Sequence, residues 1–264
     1  MYSDCKCKTT YDFGAEIMDN NRKAHIIVIS SKENSRLNAA VAVNLAVELA
    51  EGGLKSCVLD TAQNSGGLAD FFAERNNKNT SLSAIDFMAE DAETGEKIPQ
   101  YDVVVVSSPS GKNDYKSSFF YADTLITILD EKSSLGLLSE PEPSQQNILR
   151  PSAYTNFVWE IKKHLAATQK KSLNWAVLPC QNLQMIQKQA SFLSEIGKKY
   201  GFRTSPAIVP NDDFYTLFER GLTLFDLSRP PFDKEMTISE LMLKRSCRKF
   251  AEFVLNITKT PTIS

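Results

Sequence analysis

Apolar residues in this chain fall into two kinds of run. Short, nearly unbroken blocks occur at His25 to Ile29 (HIIVI), Ser56 to Asp60 (SCVLD), Tyr101 to Val106 (YDVVVV), Thr124 to Asp130 (TLITILD) and Asn174 to Pro179 (NWAVLP). Their length and β-branched content predict strands covered on both faces. Between them the apolar positions recur at three- and four-residue spacing. Ala42, Leu45, Ala46 and Leu49 line one face of a helix stopped by Gly52 and Gly53. LADFFAER (68–75) and Ser81 to Glu90 read as further helices, the latter followed by an acidic loop. AYTNFVWEIKKHLAAT (153–168) carries Phe157, Ile161 and Leu165 on one stripe. A helix from Leu183 to Tyr200 ends at Gly201, SPAIVP (205–210) reads as a short strand, and Phe214, Leu217 and Phe218 form an apolar face before Gly221. The last helix is predicted from Lys234 to Leu255, and the proline-bearing stretch 132–151 as an exposed connection.

Alternating strands and helices predict an α/β fold: an open, mostly parallel, doubly wound sheet with helices on both faces. A single domain is expected over residues 24–256, between a polar tail at 1–23 and a short tail at 257–264.

The first strand, helix and second strand make a βαβ unit, in which the turn before the helix is the usual place for a phosphate. A phosphate loop needs glycines to wrap the anion, a lysine for the β- and γ-phosphates and a Ser/Thr hydroxyl for Mg²⁺. This chain has a polar turn of about ten residues from Ser30, without a glycine, before a helix expected to open on Asn38, Ala39 and Ala40. The turn's only cations are Lys32 and Arg36. Asp60 ends a strand on the edge where open α/β sheets bind ligands, a position also suited to capping a turn. The clearest strand ends on Ser107, where a nucleotide hydrolase would place a carboxylate.

Composition narrows the picture further. The net charge of −2 hides an asymmetry: residues 1–150 hold 14 basic and 22 acidic side chains, residues 151–264 hold 16 and 10. Lys188, Lys198, Lys199, Arg203, Arg245, Arg248 and Lys249 are candidates for a DNA-binding face, although charges on helices are commonly only the wet side. Five scattered cysteines fit a reducing compartment. Cys5 and Cys7 stand too close for a zinc site and only His25 and His164 could assist, so no metal centre is expected. No run is long and apolar enough to span a bilayer, and no signal peptide is evident, so a cytoplasmic location is expected.

The chain resembles the ParA/MinD deviant Walker ATPases, with a P-loop NTPase fold, and within them the MipZ branch. The resemblance rests on the βαβ unit and, more specifically, on PSAYTNFVWE (151–160), NWAVL, Gly201 to Arg203, and FYTLFERGLTLFDL (214–227). It implies a bacterial, cytoplasmic, ATP-dependent dimer that binds DNA without sequence preference, engages the partitioning protein ParB and inhibits FtsZ polymerisation. Residue by residue, it puts the signature lysine at Glu33, beside Lys32, and the loop glycines at Asn34, Ser35 and Leu37. The phosphate-contacting lysine falls at Asn38 and the Mg²⁺-binding pair at Ala39 and Ala40. The switch aspartates fall at Asp60, retained, and Ala62, lost. The second acidic strand end falls at Ser107, before Pro109 and Gly111, and an adenine-contacting asparagine falls at Cys180.

Each missing charge-assisted contact removes about 1.5–3 kcal/mol. The expectation is a MipZ-like pseudoenzyme without catalytic residues or cofactor, although the family uses ATP and Mg²⁺. It would act in cell-division positioning or chromosome partitioning by binding a ParB-like, FtsZ-like or active family ATPase partner. The alternatives are an atypical ATPase using Lys32 or Arg36, and a DNA-binding adaptor. A monomer is favoured over a homodimer, because the family's ATP lies between two subunits.

Overall fold

The computed structural model describes residues 24–32, 34–61, 66–78, 82–90, 94–108, 116–131, 135–142, 145–228 and 235–259. The expected N-terminal tail, and Glu33, Ala62, Pro109 and Gly111, lie outside them. Seven strands form one sheet in which every pairing is parallel: β1 (His25–Ser31), β2 (Ser56–Asp60), β3 (Asp86–Ala89), β4 (Val103–Ser107), β5 (Thr124–Asp130), β8 (Asn174–Cys180) and β9 (Arg203–Thr204). Their order is β3-β2-β4-β1-β5-β8-β9. Registers Ile29↔Ser107 and Asp60↔Ser107 bring the ends of β4 and β2 level with Ile29, and β1 runs on to Ser31.

Alternate strand residues face opposite ways, and two cores result. Ile27, Ile29, Val58, Val105 and Ile128 pack under α1 (Ser35–Glu51), α2 (Leu68–Asn76), α7 (Asp212–Glu219) and α8 (Ile238–Lys259). Ile26, Val28, Val104, Val106 and Trp175 pack under α5 (Ala153–Gln169) and α6 (Leu183–Tyr200). One-turn helices α3 (Thr94–Lys97) and α4 (Lys116–Phe119) complete the connections.

Several elements depart from the sequence reading. The helix expected over Ser81 to Glu90 is edge strand β3. Met88 is buried, Asp86 and Ala89 are exposed, and Phe87 stacks on Phe72 with centroids 4.8 Å apart; backbone pairing with β2 outweighs local helix propensity. The stretch 132–151 contains an antiparallel hairpin, β6 (Ser139–Glu142) and β7 (Gln145–Pro151). Its base is held where Thr155 Oγ1 donates to Leu138 O at 2.7 Å. Residues 205–210 are not a strand. Ser205 N and Ile208 N each donate one bond to β8, at 2.9 and 3.0 Å, while Pro206 and Pro210 have no amide to give. The last helix starts at Ile238 rather than Lys234, and runs through Lys259, past the boundary expected at 256.

Candidate functional site

The candidate site is the end of the sheet where β1, β2 and β4 finish beside the start of α1. Here the expected ten-residue turn is absent. β1 continues to Ser31 and α1 begins at Ser35. Asn34 makes the helix start there: its side chain accepts from Leu37 N at 2.9 Å, and its carbonyl accepts from Ser31 Oγ at 2.8 Å. An amide that could face an anion is thereby held by the chain's own cap.

Asn38, Ala39 and Ala40 lie within the first turns and are fully buried. Asn38 Nδ2 donates to Ile29 O at 2.9 Å and to Ser107 Oγ at 3.0 Å, stitching α1 to β1 and β4. Because Ile29 O only accepts, the amide must turn its nitrogen that way. That leaves Asn38 Oδ1 buried without a hydrogen-bond partner among the described residues, an acceptor where a phosphate would need a donor. Ser107 carries no charge; its carbonyl accepts from Thr61 Oγ1 at 3.2 Å. Asp60 is buried, and its carbonyl takes Glu90 N at 3.1 Å. Burial, and then repulsion from Asp60, hold the Glu90 carboxyl above its ordinary range.

The space over the helix start is occupied. A Cβ at Gly66 would come within 2.8 Å of Ser35 O and 3.1 Å of Ala39 Cβ, so only a glycine lets the chain after β2 lie this close. Of the two candidate cations, Lys32 is exposed. Arg36 forms an ion pair with Glu219 and lies 5.3 Å from the Tyr215 ring centroid, which commits it to α7. Neither Tyr215 nor Glu219 was singled out from sequence, and 179 residues of separation leave no local signal for the first contact. Asn34 did carry one, an N-cap residue just ahead of an apolar helical run. Cys180 is buried at the end of β8, opposite Asp130 in register.

The seven basic candidates do not share a face. Lys188, Lys198 and Lys199 are on α6 and Arg203 follows on β9, whereas Arg245, Arg248 and Lys249 are on α8, across the sheet. Lys199 Nζ donates to Leu149 O at 3.0 Å, and Arg248 Nε binds Glu48 Oε1 at 2.8 Å. Among the described residues no group of three or more His, Cys, Asp or Glu is placed to hold a metal ion. No helix among them is long and apolar enough to cross a membrane.

The family model described as ATPase MipZ matches residues 77–257. The chain belongs to the MipZ family. The match takes in the whole of Phe214–Leu227 and begins after the turn between β1 and α1. No curated protein sequence matches the chain. Among solved structures it is similar to the MinD cell division protein of Aquifex aeolicus, with 15% identity, TM-score 0.55, and coverage of 88% of this chain and 98% of that one. The cell division ATPase MinD of Pyrococcus furiosus gives 12%, 0.53, 89% and 99%. An ATP complex of Cyanothece McdA gives 13%, 0.53, 85% and 96%. At these identities the likeness carries the fold, that of the MinD/ParA P-loop NTPases. Against the MgATP such a fold implies, the residues present do not fit: where the resemblance puts a phosphate-contacting lysine, a Mg²⁺-binding hydroxyl and a carboxylate stand Asn38, Ala39 and Ser107.

Proposed function

We propose that this MipZ-family chain is a pseudo-ATPase: a cytoplasmic binding protein in cell-division positioning or chromosome partitioning that works without nucleotide, Mg²⁺ or turnover. The observation that carries the reading is the closure of the phosphate position by Asn34 and Asn38. To admit a triphosphate, the chain would have to give up the cap on Leu37 N and the two Asn38 bonds, and position 38 would still offer an amide rather than a lysine. Phosphoryl transfer is catalysed chiefly by positioned cations and a positioned nucleophile, so the loss extends to hydrolysis.

Action by binding is supported by the family, since MinD of Aquifex aeolicus is described in a complex with MinC. The partner classes that follow from the resemblance are ParB-like, FtsZ-like or active family ATPases. The protein itself is a monomer, because the ligand that would join two subunits does not bind. The DNA-binding reading is less well supported, because the basic residues divide between the two faces of the sheet.

Calorimetric titration of the full chain with MgATP and with a non-hydrolysable analogue tests the proposal. No heat up to millimolar ligand is the expected result. Binding at micromolar concentration would overturn it.

A further inference from the structure

Ile238, Leu241 and Met242 stand 78%, 52% and 67% exposed on the first turns of α8, while Leu243, Cys247 and Phe250 on the other side are buried in the core. This helix start is firmly built. Thr237 and Glu240 form a reciprocal capping box: Thr237 N donates to Glu240 Oε2 at 2.8 Å and Glu240 N to Thr237 Oγ1 at 3.1 Å. Asn211 Nδ2 donates to Ser239 Oγ at 2.8 Å and ties the turn to the start of α7. A rigid helix end thus holds three large apolar side chains in water.

The stripe continues at helical spacing to Arg245 and Lys249, both exposed. Their neighbours are engaged, Lys244 with Ser228 Oγ at 2.7 Å and Arg248 with Glu48 at 2.8 Å. Arg245 and Lys249 have no ion-pair or hydrogen-bond partner among the described residues. From Ile238 to Lys249 the stripe is about 16 Å long, the length of three helical turns.

We propose that this stripe of α8 docks an amphipathic helix of a partner protein. That helix presents an apolar row to Ile238, Leu241 and Met242, and carboxylates to Arg245 and Lys249. A three-turn ridge suits helix-on-helix packing, and two unpaired cations set at one end ask for discrete negative charges there. A lipid surface would be met by a more uniformly basic face, whereas Glu252 follows Lys249 on the exposed side. The inference goes beyond the proposed function, since it stands whether or not nucleotide binds.

The probe is a labelled synthetic helix of about 18 residues with leucines at i, i+3 and i+4 and glutamates one and two turns away, made in both orders of leucines and glutamates. Fluorescence anisotropy with the full chain reads its binding. One order is expected to bind at micromolar concentration. Met242→Asp, with an unchanged thermal midpoint, is expected to weaken it at least tenfold, on the order of a hot-spot loss. Arg245→Glu with Lys249→Glu should weaken it roughly three- to tenfold and admit a peptide with lysines in place of the glutamates. Binding of neither order below about 1 mM, or equal binding of glutamate and lysine peptides, would overturn the proposal. So would a wild-type dimer in sedimentation that Met242→Asp dissolves, which would make a second copy the occupant. Met242-dependent retention on phosphatidylglycerol vesicles would reassign the stripe to a membrane.

Discussion

Replacing Asp226 by alanine should be among the most damaging single changes in this protein. Its carboxylate is fully buried and collects four donors: Arg75 Nη1 at 2.8 Å and Nη2 at 3.1 Å, Thr223 N at 2.7 Å and Thr223 Oγ1 at 2.8 Å. Arg75, itself only 6% exposed, also donates to Gly221 O at 3.2 Å and Ser83 O at 3.1 Å. The pair therefore joins α2, the strand-edge segment before β3 and the end of the Phe214–Leu227 run. Without Asp226 the guanidinium stays buried with two carbonyls and no counter-charge. Breaking one side of a buried pair costs about 3–5 kcal/mol. With an unfolding entropy near 2 cal/mol/K per residue, a chain of this length should lose about 5–9 °C in Tm. Urea unfolding followed by circular dichroism reads the free energy, and a thermal scan reads Tm. Arg75→Met should be similarly costly, and the double variant Arg75→Met/Asp226→Leu less costly than the two singles added, because it leaves no unpaired charge. A loss below about 1 kcal/mol for Asp226→Ala, or strict additivity of the pair, would refute the reasoning.

Three further outcomes follow from the same structure. Asn34→Ala removes the α1 cap and should cost about 1 kcal/mol in urea unfolding; MgATP titration of the variant should stay flat, since Asn38 and Ala39 still stand in place of a phosphate-contacting lysine and a Mg²⁺-binding hydroxyl. Gly221→Ala should destabilise by more than about 3 kcal/mol, because residue 221 has φ of +65° and its new Cβ would meet Arg75 N at 2.5 Å; a near-neutral urea midpoint would contradict that contact. Lys162 lies over Trp175 and donates to Gly201 O at 2.7 Å, and burial lowers its pKa below the ordinary 10.5. Between those two values the unfolded chain binds more protons than the folded one, so this group makes stability rise with pH as pH approaches 10.5. Lys162→Met should flatten that rise relative to wild type in unfolding measured across alkaline pH; an unchanged slope would count against it.

The nature of the nucleotide-site residues was legible without coordinates, because a lysine, a hydroxyl pair and a carboxylate either stand at their spacing or do not. What those positions do instead was not legible. That Asn34 shortens the turn had a local signal, but the bonds of Asn38 to Ile29 and Ser107 exist only because β1 and β4 pair Ile29 with Ser107 beneath α1. Likewise Arg36 reads from sequence as a spare cation near the turn, and only the packing of α7 against α1 makes it the partner of Glu219 and Tyr215.

The central strands, the long helices and the parallel α/β class are written in the order of residues alone. The helices follow from apolar positions recurring every three or four residues and the strands from short unbroken apolar blocks, and the blocks Ser56–Asp60 and Thr124–Asp130 coincide with β2 and β5. Tertiary structure decided the marginal elements. Residues 86–89 are a strand because β2 offers an edge to pair with, 139–151 include a hairpin because Ser139–Glu142 and Gln145–Pro151 pair antiparallel, and 205–210 is held beside β8 without joining it. It also decided which charged groups meet: Arg75 and Asp226 are 151 residues apart, and a contact at that separation is a property of the folded chain rather than of any window of its sequence.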